Sequence, residues 1–212
     1  MTALRAAAHR FWKHRMPRTG FVLLLSLLVL SPAMAAPVHD TLEVSYRQDG
    51  RRFGFTFTPP SGSAWTPERL DSGNVQVKWQ PDNVADTRLI EAYTITPDLE
   101  HPTLPAYIAH VSGKLRNQFG NSPQVTLDQL EVTPHPLGER CVRIHMRLGL
   151  RQPAQDGQRQ WAEQYTLSCL SAVHDDVGYE LRYFHRYNDA YRDAHLEDAA
   201  QRVFASVVIQ EP

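Results

Sequence analysis

The chain lacks the short motifs that mark the commonest catalytic classes. It contains no G-x-S-x-G, no H-E-x-x-H and no C-x-x-C, and Ser112-Gly113-Lys114 has no upstream glycine to complete a phosphate-binding loop. These absences count against the usual hydrolase, zinc-protease, dithiol-redox and nucleotide-binding mechanisms. We therefore expect no metal and no cofactor, and the sequence favours a non-enzymatic protein over an enzyme.

An excess of charge of one sign is also missing. The first 35 residues contain five of the 22 basic residues and none of the 23 acidic ones, so residues 36–212 carry a net charge of −6. This mild acidity is spread without runs and provides no basic surface for nucleic acid or anionic lipid. Beyond residue 35 the only methionine is Met146, which argues against a Met-rich copper site or a Met-lined groove.

The first 35 residues have the pattern of a secretory signal peptide. A basic segment, residues 16–18, precedes the mostly apolar residues 21–30, and Ala33-Met34-Ala35 is a small-x-small cleavage site. The alternative is an uncleaved anchor, but a membrane span needs about 20 apolar residues. The absence of a twin-arginine pair favours Sec export. We predict cleavage before Ala36, a single domain over residues 36–212, no membrane span after cleavage, and a periplasmic or secreted location.

Two cysteines, Cys141 and Cys169, would meet oxidising conditions after export, where an even number usually forms a disulfide. Their separation of 28 residues differs from the C-x-x-C spacing of reactive pairs, so we predict a structural bond. Closing a loop of this length contributes roughly 3 to 3.5 kcal/mol in the chain-entropy model.

The predicted disulfide also predicts a strand register. Residues 142–150 alternate between apolar and mostly basic side chains, residues 161–173 read as the next strand, and residues 179–187 as a third, so we predict a three-stranded meander. An antiparallel pair that starts at the disulfide places the following residues opposite one another: Arg143 and Leu167, His145 and Tyr165, and Arg147 and Glu163. This register sets an apolar side of the first strand against a polar side of the second. Either a bulge intervenes or both faces of the sheet are partly covered.

The remaining patterns predict further strands and two helices. Alternating residues on both sides of Asp49-Gly50 indicate a β-hairpin. Further strands are predicted at residues 75–79, 88–95 and 124–133. Apolar residues with helical spacing predict helices over residues 104–119 and from about Asp193 to Val207. We therefore predict an α+β fold in which an antiparallel sheet of about six strands is covered by two main helices.

The segments and their order resemble the PsbP-type fold, which includes the DcrB-like periplasmic proteins. The segment Arg52 to Trp65, with its strand, prolines, glycine and tryptophan, is similar to the opening of that family. The strand from Gly178, the helix after it and the ending Val203-Phe-Ala-Ser-Val-Val208 are similar to its close. The resemblance covers most of residues 41–209 through pattern and order, without a diagnostic motif. It implies a PsbP-like fold and a non-catalytic binding, accessory or chaperone-like role, with no active site to transfer.

One face of the predicted meander collects side chains capable of binding or acid–base chemistry. The predicted register places six residues there: Arg143, His145, Glu163, Tyr165, His185 and Tyr187. Two histidines on neighbouring strands could bind a metal or respond to pH. The alternative is a partly solvated sheet surface with cross-strand polar pairs. We treat the six residues as a candidate binding face and assign no catalytic residue.

Three functions are compatible with these features. The first is an exported, non-enzymatic accessory protein that binds another protein of the cell envelope. The second is a periplasmic immunity protein against a delivered toxin, which would have a tight, acidic interface. The third is a small hydrolase or metal-dependent enzyme that uses the His145, Glu163 and His185 face, which would form a concave pocket.

Overall fold

The computed structural model describes residues 40–70, 72–80, 86–99, 102–151 and 157–212. The predicted signal peptide and its cleavage site lie outside the described residues. The described ranges contain these ten strands: β1 (Leu42–Gln48), β2 (Arg51–Phe57), β3 (Trp65–Arg69), β4 (Val75–Trp79), β5 (Asp86–Ile95), β6 (Val125–Pro134), β7 (Cys141–Leu150), β8 (Gln160–Leu170), β9 (Gly178–Asn188) and β10 (Val208–Gln210). They also contain two α-helices, α1 (Leu104–Gly120) and α2 (Leu196–Ala205), and a short 3-10 helix over Asp189–Tyr191. All of these elements belong to one compact unit.

The strands form two antiparallel sheets. The larger sheet has seven strands in the order β3-β4-β5-β9-β8-β7-β6, and the smaller has three in the order β1-β2-β10. The small sheet contains the predicted hairpin, whose turn residues Asp49 and Gly50 have φ angles of 51° and 75°, as a type I′ turn requires. In β2, Gly54 allows β1 to approach closely, because a Cβ at this position would collide with the carbonyl oxygen of Val44.

Both faces of the large sheet are packed, and we name them by what covers them. On the inner face, the small sheet and α2 enclose the main core, which includes Phe55, Leu181 and Phe204. On the outer face, α1 packs against β6 and β7 in a second, smaller core that includes Val142 and Ile144. Helix α1 begins where predicted: the Thr103 side chain accepts a hydrogen bond from the backbone of Ala106, and Pro105 lies in the first turn.

The predicted fold class, an α+β fold with about six strands covered by two main helices, is wrong. The fold is predominantly β, with ten strands in two sheets within the described residues and helices of only 17 and 10 residues. The hairpin of β1 and β2 does not join the main sheet. It pairs with β10 instead, and the resulting sheet covers much of the inner face.

Two strands, β3 and β10, were not predicted, for physical reasons that the structure makes clear. β3 contains Pro67 and has one buried residue among five, so it shows no alternation of apolar and polar side chains. β10 has only three residues, which is too short for any periodic signal. Both lie at sheet edges, where one side of the strand makes no ladder.

Of the three central strands, β7, β8 and β9, the first two have the predicted register. Cys141 pairs with Cys169 and forms the predicted disulfide with it. The pairs that follow are also those predicted: Arg143 with Leu167, His145 with Tyr165, and Arg147 with Glu163. β9 continues the meander beside β8. The β7–β8 pairing runs without a shift, and α1 covers the apolar side of β7, so the second of the two alternatives, a sheet covered on both faces, is correct.

Candidate functional site

The central strands bring all six predicted face residues onto the inner face of the large sheet. They are contributed in pairs: Arg143 and His145 by β7, Glu163 and Tyr165 by β8, and His185 and Tyr187 by β9. A groove with a volume of about 520 Å³ lies between this surface and the segment that leads from β9 into α2. We call it the His145 groove, and its lining comprises Gln129, His145, Arg147, Glu163 and Tyr165 from the sheet and residues of the 192–197 segment.

Glu163 is the centre of a buried hydrogen-bond network on this face. Its Oε1 atom lies 2.8 Å from Nε2 of His145, and its Oε2 atom accepts a hydrogen bond of 2.7 Å from the Tyr187 hydroxyl. His145 and Glu163 are each 8% exposed, and Tyr187 is 1% exposed. The network therefore connects β7, β8 and β9 in a region that is almost closed to solvent.

The network determines the charge of its carboxylate. Burial raises the pKa of Glu163, but the hydrogen bonds from His145 and Tyr187 outweigh burial, and the pKa lies below its usual value. Glu163 is therefore ionised at neutral pH. Because an ionised carboxylate only accepts hydrogen bonds, Nε2 of His145 carries a hydrogen and donates a hydrogen bond to Glu163. Burial, together with the hydrogen bond to Glu163, raises the pKa of Tyr187 and keeps its hydroxyl protonated.

The ring of His145 is held from a second side by Tyr165. The two rings are stacked, with centroids 4.2 Å apart and planes that differ by 6°. Burial and the nearby carboxylate of Glu163 raise the pKa of Tyr165. The stacking and the hydrogen bond to Glu163 together leave the imidazole little freedom to rotate.

His185 belongs to a separate pair on the same face. Its Nε2 atom lies 2.8 Å from Oδ1 of Asp86 on β5, and the residue is fully buried. Burial lowers the pKa of His185, although the hydrogen bond to Asp86 opposes this shift. Asp86 also accepts from Arg88, which reaches Asp193 over 2.8 Å. The two histidines thus contact different carboxylates, and the described part of the chain contains no cluster of three or more potential metal ligands.

Arg143 connects the sheet to α2 beside the groove. Its guanidinium contacts Glu197, in the first turn of α2, at 2.6 Å and lies 4.0 Å from Glu131 on β6. An acidic residue in the first turn also interacts favourably with the helix dipole. Arg143 is therefore paired with carboxylates on two elements.

Sequence reasoning missed a group of residues beside the groove, which we call the arginine–tryptophan cluster: Arg147, Arg159 and Trp161. The guanidinium carbons of Arg147 and Arg159 lie 5.2 and 4.0 Å from the ring centroid of Trp161, which are cation–π distances. The indole nitrogen of Trp161 donates to Asp189 over 2.8 Å, and Arg147 donates to Asp128 over 2.6 Å. The period of two in the strands could have identified two of these residues. Arg147 and Trp161 have odd residue numbers, as the six predicted residues do, and therefore lie on the same face.

The acid–base groups at the floor of the groove are paired with one another. The described lining contains no serine, threonine or cysteine. Both oxygens of Glu163 have hydrogen-bond partners, and His145 uses Nε2 to contact Glu163. The lining contains two arginines, Arg147 and Arg192, and carries charges of both signs, because it also contains the carboxylates Glu163, Asp193 and Glu197. Polar side chains that satisfy one another present a fixed pattern of charge, to which a binding partner can be complementary.

Comparisons with known proteins assign no family to the chain. No protein-family description and no curated protein matches it. A solved structure with similarity is that of LpqN, involved in cell envelope biogenesis of Mycobacterium tuberculosis, at 18% identity and a TM-score of 0.48, over 82% of this chain and 93% of that chain. These values assign no function, and none of these findings supports the resemblance to PsbP-type or DcrB-like proteins. Within the described residues, no helix is both long and apolar enough to cross a membrane.

Proposed function

We propose that the protein is an exported, non-enzymatic accessory protein that binds another protein of the cell envelope through the His145 groove. The observation that carries this proposal is the arginine–tryptophan cluster beside a groove whose acid–base groups are already paired with one another. Arg, Trp and Tyr are the residue types that contribute most of the binding energy at protein interfaces. A surface that combines them with a rigid polar network is well suited to a folded partner.

The residues around the cluster extend this surface. Asp189, which accepts the hydrogen bond from Trp161, begins the 3-10 helix that ends at Tyr191, and Tyr191 is 43% exposed. Arg192, the next residue, lines the groove. An exposed tyrosine and an arginine therefore follow directly after the segment that contacts the cluster, and they enlarge the area that a partner could contact.

Two observations support export. The leader has the pattern of a secretory signal, and Cys141 and Cys169 form a buried disulfide. Disulfides form and persist in oxidising compartments and are rare in the cytosol. A binding protein of the cell envelope would experience such conditions.

The proposal is tested by comparative crosslinking in the native host. The full-length protein with a C-terminal affinity tag is crosslinked in intact cells and purified, and the proteins recovered with it are quantified by mass spectrometry. The variants are Trp161→Ala and Arg147→Ala, which remove two members of the arginine–tryptophan cluster. Arg116→Ala is the matched control, because Arg116 is an exposed arginine on α1, which packs on the outer face.

We expect one envelope protein to be recovered with the wild type and with Arg116→Ala. Its recovery should fall at least about tenfold with Trp161→Ala, since removing a central aromatic anchor typically costs 2 kcal/mol or more of binding energy. Circular dichroism of each purified variant checks that the fold is retained. Equal recovery with all the variants, or no specific partner with the wild type, would contradict the proposal.

A further inference from the structure

A second cavity lies on the outer face of the large sheet, beside α1. Its volume is about 330 Å³, which is within the range of about 300–1,000 Å³ that is usual for small-molecule sites. We call it the α1 cleft. Its floor includes Ile144, Thr166 and Arg182, which are partners in one row across β7, β8 and β9. Val111 and Leu115 of α1 contribute an apolar wall.

Two buried polar atoms in this floor have no hydrogen-bond partner among the described residues: Oγ1 of Thr166 and Nε of Arg182. Thr166 is 2% exposed, so bulk water does not replace the missing partner. A buried polar group without a partner is unfavourable for folding and is rare in native proteins. Thr166 and Arg182 are directly opposite each other, and the Cβ atoms of such pairs are about 4.5–5.5 Å apart, so both side chains belong to the same part of the floor.

Both Nη atoms of Arg182 have hydrogen-bond partners. Nη1 donates to Glu91 over 3.1 Å, and Nη2 donates to the hydroxyl of Tyr93. Tyr93 in turn donates to Glu180 over 2.5 Å. These bonds hold the guanidinium in place, and Nε is the nitrogen of this side chain that has no partner among the described residues, as is the case for the hydroxyl oxygen of Thr166.

The charges of the cleft are already balanced. Arg182 contacts Glu91, and its Nη2 atom lies 3.8 Å from a carboxylate oxygen of Glu180. At the rim, Asp98 accepts a hydrogen bond of 2.8 Å from Lys114. An anionic ligand beside Arg182 would therefore face two carboxylates, whereas a neutral oxygen would accept from Nε and Oγ1 without this repulsion.

We propose that the α1 cleft binds a small, neutral and largely apolar molecule through one oxygen acceptor, such as the carbonyl of a ketone, ester or amide. The oxygen accepts hydrogen bonds from Nε of Arg182 and from the Thr166 hydroxyl, and the apolar body packs against Ile144, Val111 and Leu115. The α1 cleft is on the outer face and the His145 groove is on the inner face, so this proposal does not depend on the protein partner proposed above.

The test uses methyl-labelled protein, with 2-octanone as a neutral probe and octanoate as an anionic probe of equal chain length. Titration with 2-octanone should shift the NMR signals of the Ile95, Val111 and Ile144 methyl groups, which line the cleft. The methyl signals of Val44 and Val77, in the core of the inner face, should not move. Octanoate should bind more weakly, because its carboxylate faces Glu91 and Glu180.

Three variants complete the test. Thr166→Val, which keeps the side-chain shape, should weaken 2-octanone binding about three- to tenfold and should raise thermal stability, because it removes an unpartnered buried hydroxyl. Val111→Trp should abolish binding by filling the cleft. Thr56→Val is the matched control, since Thr56 is a half-buried threonine of the small sheet, and it should bind as the wild type does.

The proposal is overturned if 2-octanone does not bind, if the shifts occur equally in both cores, or if Thr166→Val binds it as tightly as the wild type. A less stable Thr166→Val protein in the absence of any binding would indicate that water satisfies these atoms, and this result also overturns the proposal. Tighter binding of octanoate would contradict the charge argument and with it the proposed class of ligand.

Discussion

Tyr187→Phe is the most direct test of the buried network at Glu163. The change removes only the hydroxyl that donates to Glu163 over 2.7 Å and leaves a ring that is 1% exposed in the wild type in place. A hydrogen bond to a buried charged group contributes about 1.5–3 kcal/mol, and Glu163 keeps its bond from His145. We therefore expect the free energy of unfolding at pH 7 to fall by about 2 kcal/mol. Urea denaturation with the disulfide intact measures this quantity.

The same variant has a predicted pH dependence. The folded-state pKa of Glu163 is below its ordinary value of 4.5, so the stability that Glu163 contributes is fully present above this value. It is lost as the pH falls through the folded-state pKa. Since the Tyr187 hydrogen bond is one cause of the lowered pKa, Tyr187→Phe should raise the pKa of Glu163. The difference in stability between the wild type and Tyr187→Phe should therefore shrink when the pH is lowered from 7 to 3.

Tyr183→Phe is the matched control for this experiment. Tyr183 lies on the same strand and the same face and is buried, but the two partners of Glu163 are His145 and Tyr187. A double-mutant cycle with Glu163→Gln isolates the coupling between the two side chains. The reasoning is refuted if Tyr187→Phe changes the unfolding energy by less than about 0.5 kcal/mol. It is also refuted if the effect is equally large in the presence of Glu163→Gln.

Two more predictions concern the neighbouring pair and the disulfide. Because burial lowers the folded-state pKa of His185, the unfolded chain binds more protons below pH 6.5, and stability should fall as the pH drops from this value towards the folded-state pKa. His185→Gln, whose amide can still donate to Asp86, should reduce the slope of the unfolding free energy against pH, measured by urea denaturation between pH 7.5 and 5. An unchanged slope would contradict this prediction. Replacing both Cys141 and Cys169 by alanine should lower the unfolding energy by about 3.5 kcal/mol, as expected for a loop of 28 residues. The wild type under reducing conditions should show the same urea midpoint as this double variant, and a large difference between the two would rule out loop closure as the source of the stability.

The register of the central strands could be predicted because two local signals agreed. The Cys141–Cys169 bond requires the two residues to lie close together on adjacent strands. The alternation of side chains along a strand, with a period of two, then determines which side chains share a face. A shift of one residue would have moved His145 to the other face, so an independent point of reference was needed. The opposite charges of Arg147 and Glu163 were consistent with the same register.

The partners of the individual side chains depended on contacts that no local pattern contains. His185 contacts Asp86 because β5 lies beside β9, although about a hundred residues separate the two in the chain. The prediction therefore placed both histidines near Glu163, and only the strand order assigns His185 to a different carboxylate. The small sheet illustrates the same limit, since the pairing of β2 with β10 joins the two ends of the described chain.

The two cavities differ in how their polar atoms are used, and this difference is the physical basis for assigning them different ligands. In the His145 groove the carboxylate, imidazole and hydroxyl of the network are hydrogen-bonded to one another. A partner therefore forms few new hydrogen bonds with the floor, and it contacts a fixed surface with exposed aromatic and guanidinium groups. In the α1 cleft, Thr166 and Arg182 each have one polar atom without a partner among the described residues. The unfavourable energy of these unpartnered atoms is removed only when a ligand atom forms hydrogen bonds with them. The first arrangement favours a large partner that contacts the rim, and the second favours a small molecule that fits inside.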